Sequence, residues 1–168
     1  MRFLRGLALI TVFVLAIAAG WYYFSHRGGN NVKSGTVTVY YTEYDGTTEV
    51  PYSVTLGTAH DTQSIAFYAA TQAVAGPPPN AEAIRFPAGT HLLSLDLHDG
   101  TAVVDLSAEV NKFGGGSFDE TGMFKSLVWT LTGIHGITAV SIRVDGSRVA
   151  TLPGGHLELD EPLSRSSW

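Results

Sequence analysis

A glycine-rich stretch at residues 113–124, FGGGSFDETGMF, precedes a run of residues with helical periodicity. Glycine-rich loops that lead into a helix often cradle a phosphate, because backbone N–H groups and the helix dipole both attract anions. Here Ser117 and Glu120 match the S-x-x-E capping box, in which the two side chains would occupy those N–H groups. Asp119 and Glu120 also place negative charge at this end of the helix, where a phosphate would be repelled. We therefore predict a flexible entry loop rather than a phosphate site.

The remaining residues that could carry chemistry form no recognised catalytic or metal-binding pattern. The 6 histidines include no H-x-x-x-H or H-E-x-x-H pair, and the chain has no G-x-S-x-G nucleophile elbow. Asp96 and His98 could supply two metal ligands, but zinc needs a third and a fourth, which nothing nearby provides. The absence of cysteine excludes disulfides, iron–sulfur clusters and cysteine zinc sites. We predict no enzymatic activity, no metal and no cofactor.

Two arginines are expected to oppose each other across a hairpin at residues 138–152. The Asp145-Gly146 dipeptide favours a two-residue type I′ turn, which places Arg143 opposite Arg148 on the outward face. Like charges in that position destabilise an antiparallel pair. Either acidic neighbours compensate for these charges or a binding partner does.

A second hairpin, predicted at residues 91–107, supplies the other candidate site residues. Its turn at Asp99-Gly100 sets a register with three apolar cross-strand pairs on one face: Leu97 with Ala102, Leu95 with Val104, and Leu93 with Leu106. The opposite face is polar. The candidate partner-binding residues on the outward faces of the two hairpins are therefore Asp96, His98, Asp105, Arg143 and Arg148.

The hydrophobic patterns predict the element order β-β-α-β-β-α-β-β. Residues 36–42 and 50–56 alternate as strands, and residues 58–75 have helical periodicity behind a capping box of Thr58 and Asp61. A second helix at residues 118–132 carries Phe124, Leu127 and Leu131 on one apolar stripe. The pattern predicts an α+β fold in which both helices pack on one face of a mixed sheet. The other face of that sheet would remain open.

The N-terminal region indicates a membrane anchor. Residues 7–24 contain no charge and are long enough to cross a bilayer core of about 30 Å. Arg2 and Arg5 precede this segment, which favours a cytoplasmic N-terminus and an extracytoplasmic domain. We predict a transmembrane anchor at residues 1–24, a flexible linker at 25–34 and one domain at 35–165. The alternative is a cleaved signal peptide, because residues 16–20 are small enough for a cleavage site.

The charge of the chain limits its partners. The formal net charge is -5, and all 15 acidic residues follow residue 42. Such a domain is repelled by the phosphate backbone of nucleic acids. We therefore expect no nucleic-acid partner.

Several motifs in a fixed order resemble one known family. They are FPAGT at residues 86–90, VDLS at 104–107, the glycine-serine entry at 115–117, LVWTLT at 127–132, VDG at 144–146 and PLSR at 162–165. Together they resemble the GerMN domain, the sporulation and spore-germination domain of bacteria. The resemblance implies an extracytoplasmic, membrane-tethered module without catalytic activity. The well-known members are lipoproteins with two copies of the domain, whereas this chain has one copy and no cysteine, so its anchor would be the helix.

Two functions follow from these observations. The first is a non-catalytic module for protein–protein assembly at the cell envelope, with envelope or membrane proteins as partners in a homo- or hetero-oligomer. The alternative is a peptidoglycan-binding module or an accessory to a cell-wall hydrolase. A wall binder should show an aromatic cleft, and Trp129 and Trp168 are the tryptophans outside the predicted anchor. Because Trp129 falls near buried helix positions, we favour the assembly module.

Overall fold

The computed structural model describes residues 35–168, which fold as an α+β unit with two helices. The elements are β1 (Thr36–Thr42), β2 (Glu49–Thr55), α1 (Thr62–Ala75), β3 (Leu92–His98), β4 (Thr101–Leu106), α2 (Ser117–Thr132), β5 (Ala139–Val144) and β6 (Ser147–Arg148). Short 3-10 turns follow β4 at Ala108–Lys112 and close the chain at Arg165–Ser167. This order confirms the predicted one. The predicted anchor and linker lie outside the described residues, and no helix within residues 35–168 is long and apolar enough to cross a membrane.

The strands form two sheets, so the prediction of a single mixed sheet is wrong. β1 and β2 pair only with each other, while β3-β4-β5-β6 form a mixed sheet in which β4 and β5 run parallel. The reason lies at the second edge of β1. There the N–H groups of Tyr40 and Thr42 donate to the hydroxyls of Thr130 and Ser126 on α2, both at 2.9 Å. Since helix side chains occupy these donors, β1 cannot pair with a further strand at those positions.

The hairpin of β3 and β4 confirms most of its predicted register. Asp99 and Gly100 both adopt positive φ, as a type I′ turn requires. Leu95 pairs with Val104 and Leu97 with Ala102, as expected. The prediction that Leu93 pairs with Leu106 and is buried is wrong, because a bulge shifts the register and Leu92 takes that position. Leu93 is 43% exposed as a result.

The hairpin of β5 and β6 is shorter than predicted. Arg143 pairs with Arg148, as expected, but β6 ends there. A hairpin over residues 138–152 in the register of the Asp145-Gly146 turn would also pair Ile142 with Val149 and Val140 with Thr151, and these pairs are not formed. Instead Val140 forms an antiparallel bridge with Leu163, through backbone hydrogen bonds of 2.7 and 2.8 Å. A distant segment therefore occupies the edge of β5 that the hairpin would otherwise use.

The helices cover the apolar face of the four-stranded sheet. α1 lies against β3, and α2 lies against β5, β1 and α1. The predicted stripe of α2 is confirmed, because Phe124, Leu127 and Leu131 are fully buried. The predicted start of α1 at Thr58 is wrong. Asp61 is itself the N-cap and accepts the N–H of Ser64 at 2.9 Å, so the first helical residue is Thr62.

Candidate functional site

The outward face of the four-stranded sheet carries all the predicted site residues. Arg143 on β5 is the register neighbour of Asp105 on β4 and of Arg148 on β6, so these three residues form one row across the sheet. Asp96 and His98 lie on β3, the strand next to β4, where they pair with Val103 and Thr101 and not with Asp105. Asp105 is half-buried and the other four are exposed. The structure therefore brings Asp105, Arg143 and Arg148 together, and leaves Asp96 and His98 at the far edge of the same face.

The two arginines differ in what they contact. Arg148 donates from Nη2 to the backbone carbonyl of Asp160 at 2.7 Å. Asp105, the acidic neighbour of Arg143, accepts the N–H of Gly146 with both carboxylate oxygens, at 2.9 and 3.1 Å. Within residues 35–168 neither arginine is within 4.0 Å of a carboxylate oxygen. The guanidinium of Arg143 is thus available for a planar, bidentate acceptor from outside.

The start of α2 differs from the predicted capping box. Gly116 is the N-cap, and Asp119 rather than Ser117 makes the local contact, accepting the N–H of Gly116 at 3.2 Å. Glu120 turns inward and is fully buried. Its Oε2 accepts the backbone N–H groups of His156 at 2.6 Å and Leu157 at 3.1 Å. The Glu120 carboxylate therefore holds the loop at residues 156–157 against the core and takes no part in a capping box.

A second buried charge lies one turn further along α2. Lys125 is 8% exposed, and its Nζ lies 2.8 Å from Oε1 of Glu49. The same ammonium donates to the carbonyl of Thr47 at 3.1 Å and lies 5.3 Å from the centre of the Trp129 ring. An ion pair as buried as this depends on its extra hydrogen bonds and on close packing. Its position indicates a structural contact between α2 and β2.

The two tryptophans do not form an open cleft. Arg165 lies over the Trp129 ring at 5.4 Å, and its guanidinium donates to the Trp129 carbonyl and the Thr132 hydroxyl. Trp168 packs nearby, with ring centres 6.3 Å apart. The PLSR motif thus packs over the C-terminal end of α2.

Within residues 35–168 there is also no group of three or more histidine, aspartate or glutamate side chains that could hold a metal ion.

Residues 38–150, well over half of the chain, match the family described as Germane, sporulation and spore germination. The chain belongs to this family. It is 33% identical over 88 residues to the spore germination protein GerM of Bacillus subtilis (strain 168), an alignment that covers 52% of this chain and 23% of that protein. The chain therefore spans less than a quarter of the length of this relative.

Two solved structures from Bacillus subtilis share the fold. The first GerMN domain of the sporulation protein GerM has a TM-score of 0.61 and 26% identity, covering 79% of this chain and 99% of that chain. The tandem GerMN domains of the same protein have a TM-score of 0.63 and 26% identity, covering 80% of this chain and 48% of that chain. The described α+β unit thus corresponds to one GerMN domain, and the predicted resemblance is confirmed.

The structure of this GerMN-type domain also shows exposed aromatic residues that the sequence analysis missed. Tyr44 is 64% exposed and Phe118 is 69% exposed. Phe118 lies in the first turn of α2, two residues after the last glycine of the glycine-rich loop, and Tyr44 precedes a third Asp-Gly dipeptide at residues 45–46. A large aromatic residue beside glycine and acidic turn residues was the signal that could have identified both.

Proposed function

We propose that this chain is a non-catalytic, extracytoplasmic module that binds an envelope protein through the outward face of its four-stranded sheet. The observation that carries the proposal is the row of Asp105, Arg143 and Arg148, in which Arg143 has no ion-pair partner within residues 35–168. Arginine is enriched at the hot spots of protein interfaces, where its planar fork binds carboxylates. A partner with a carboxylate at this position would satisfy the guanidinium.

The same row also supports specificity. The Asp105 carboxylate is held by the N–H of Gly146, which fixes it beside Arg143 without forming an ion pair. A partner that approaches this row therefore meets negative and positive charge at fixed positions. Complementary charge favours the correct register and rejects wrong partners. Asp96 and His98 extend the polar surface toward β3 and enlarge the area that a partner could contact.

The proposed setting comes from the family and from the N-terminal sequence. GerM is named for spore germination, and we propose a related role in envelope assembly for this chain. Residues 1–24 would hold the domain at the membrane, with residues 25–34 as the linker. Mass spectrometry of the mature N-terminus tests the anchor. A mature chain that begins near residue 19 or 20 would mean a secreted domain instead.

Charge reversal tests the binding face. The double variant Arg143→Glu/Arg148→Glu should bind its envelope partner about tenfold more weakly, which corresponds to roughly 1.4 kcal/mol. The matched variant Arg143→Lys/Arg148→Lys keeps the charge but loses bidentate geometry, so its affinity should fall between wild type and the glutamate variant. Crosslinking in membranes followed by quantitative mass spectrometry measures the partner yield for all three proteins.

Both arginines are exposed, so the lysine variant should unfold close to the wild-type temperature. The glutamate variant loses the Arg148 bond to the Asp160 carbonyl and places three carboxylates in one row, so it should be less stable than wild type but still folded. If the folded glutamate variant keeps the wild-type partner profile, the arginine row is not the interface. Hydrolysis of peptidoglycan by the purified wild-type chain would contradict the non-catalytic role itself.

A further inference from the structure

Three aromatic side chains surround the glycine-rich loop and form a surface separate from the arginine row. Tyr44 and Phe118 are the two most exposed large hydrophobic residues within residues 35–168, at 64% and 69%. Phe113, at the other end of the loop, is half-buried and lines the same concavity as Tyr44. We call Tyr44, Phe113 and Phe118 the aromatic ridge. Single exposed apolar residues are common on proteins, but a group of rings beside concave surface indicates a binding site.

The turn that carries Tyr44 is held in place. The Asp45 carboxylate accepts the Thr48 hydroxyl at 2.6 Å and the N–H groups of Thr48 and Thr47 at 2.9 and 2.8 Å. Gly46 has a φ of +71°, and a Cβ there would lie 2.9 Å from Cδ1 of Phe118. The Phe118 ring therefore lies directly against the turn. Tyr44 and Phe118 are therefore exposed to solvent, although hydrogen bonds hold the turn beside Tyr44 and the Phe118 ring packs against that turn.

Gly115 in the glycine-rich loop packs closely against Phe113 and Asp119. A Cβ at Gly115 would lie 3.0 Å from Cε2 of Phe113 and 2.8 Å from Cβ of Asp119. A larger residue would push the Phe113 ring away from the loop backbone. The glycine at this position thus allows Phe113 to line the surface close to the start of α2.

Tyr44 lines two open concavities, one with acidic residues in its lining and one with residues of both charges. One has a volume of about 260 Å³ and is lined by Tyr44, Tyr52, Glu43 and Glu82 among others. The second has a volume of about 300 Å³ and is lined by Tyr44, Phe113, Arg85, Lys112 and Asp119 among others. Arg85 also donates to the carbonyls of Pro77 and Pro78, which holds its guanidinium at the rim. The surface therefore alternates aromatic rings with hydrogen-bond acceptors and donors.

We propose that the aromatic ridge and its two concavities bind a glycan strand of amino sugars. A pyranose ring has an apolar C–H face that stacks on an aromatic ring, and its hydroxyl and acetamido groups both donate and accept hydrogen bonds. Carboxylates such as Glu43 and Glu82 accept from hydroxyls, while Lys112 donates to carbonyl and hydroxyl oxygens. Two adjacent concavities on either side of one ring fit successive sugars of a polymer. This inference does not rest on the protein-binding role of the arginine row.

The shape of the surface favours a glycan over other ligands. Small-molecule sites are mostly enclosed and apolar, whereas both concavities are open and carry charged residues beside their aromatic and aliphatic ones. A bound helix would need a continuous apolar groove, which the charged rims of this surface do not offer. Exposed rings with planar polar groups at their edges fit a sugar chain better than they fit an enclosed small molecule or a bound helix.

Cosedimentation with glycan tests the proposal. The full-length chain, purified in mild detergent, is mixed with peptidoglycan sacculi from which stem peptides and attached polymers have been removed, and separately titrated with tetra-N-acetylglucosamine. Wild type should bind both. Tyr44→Ala and Phe118→Ala should each weaken binding about fivefold or more, while Tyr44→Phe retains the stacking ring and should bind like wild type.

Phe67→Ala is the matched control, because Phe67 is 41% exposed on α1 and is not part of the ridge. It should bind like wild type, as should Arg143→Glu/Arg148→Glu. Absence of wild-type binding to stripped sacculi and to the oligosaccharide overturns the proposal. So does binding that requires intact stem peptides, or equal loss in the Phe67 control. Thermal unfolding of Tyr44→Ala and Phe118→Ala confirms that reduced binding comes from folded protein.

Discussion

The three Asp-Gly dipeptides of the domain take two different turn conformations. At residues 99–100 and 145–146 both residues have positive φ, and each pair forms a tight hairpin turn. At residues 45–46 only Gly46 has positive φ, and the Asp45 side chain instead accepts hydrogen bonds from Thr47 and Thr48. We call the turn at residues 45–46 the wide turn. Two of the three donors to Asp45 are backbone N–H groups, and the Thr48 hydroxyl is the donor that the residue type supplies.

The two tight hairpins also differ in length although their turns are alike. β3 and β4 pair along most of their length, and the bulge at Leu93 interrupts the ladder only near the end of the hairpin. β5 and β6 pair for two residues before Leu163 takes over the edge of β5. An Asp-Gly turn thus sets the register next to it. How far the pairing continues depends on whether a distant segment competes for the same edge.

The largest predicted effect tests the bulge in the longer hairpin. Leu95→Ala should lower the free energy of unfolding by about 2–5 kcal/mol, because it leaves a cavity in the core. Leu95 is 3% exposed, whereas Leu93, two residues earlier, is 43% exposed. Leu93→Ala should therefore cost under about 0.5 kcal/mol. Urea unfolding of both variants measures the difference, and equal losses would show that the bulge is absent in solution.

A smaller effect should distinguish the two tight turns. Both glycines have positive φ, +80° at Gly100 and +77° at Gly146, so alanine at either position should cost about 1–2 kcal/mol. At Gly100 a Cβ would also lie 3.1 Å from the hydroxyl of Thr138, while nothing lies within 4 Å of a Cβ at Gly146. Gly100→Ala should therefore be the more destabilising. Thermal unfolding of the two variants gives the order, and a larger loss for Gly146→Ala would contradict this account.

Sequence alone predicts those features that depend on near neighbours. The turn at Asp99 and the cross-strand pairing of Leu95 follow from local turn chemistry and from alternation, and both were predicted. The exposure of Leu93 was not predictable, because one extra residue in a strand leaves no mark on the apolar pattern. Glu120 was misassigned because its partners, the N–H groups of His156 and Leu157, lie 36 and 37 residues away. No local pattern encodes such a contact.

The candidate site also has one part that the sequence predicts and one part that it does not. Alternation along the strands placed Arg143 and Asp105 on one outward face, and the structure has them as register neighbours. The contacts that decide which charge remains available could not be predicted. They come from the backbone N–H of Gly146, which holds Asp105, and from the carbonyl of Asp160, which holds Arg148. The residue types along the chain do not indicate which backbone groups folding will bring together.

The smallest predicted effect concerns the wide turn at residues 45–46, whose contribution to the stability of the fold should depend on pH. The hydroxyl of Thr48 and then the N–H groups of Thr48 and Thr47 hold the pKa of Asp45 well below its usual range. Since the folded state favours the ionised carboxylate, its stabilising effect is present at neutral pH. It should be lost as the pH falls below about 4, the ordinary aspartate value, toward the lower pKa of the folded state. Solvent exposure of this carboxylate keeps the effect small.

The comparison with Asp45→Asn isolates this contribution from the other acidic groups. The amide can still accept a hydrogen bond but does not titrate, so wild type should be the more stable protein at pH 7. The difference should shrink as the pH falls through the acid range, because protonation removes the advantage of the wild-type carboxylate. Urea unfolding of both proteins at several pH values measures it. A difference that stays constant with pH would mean that the three hydrogen bonds do not depend on the charge of Asp45, and the wide turn would then owe its shape to Gly46.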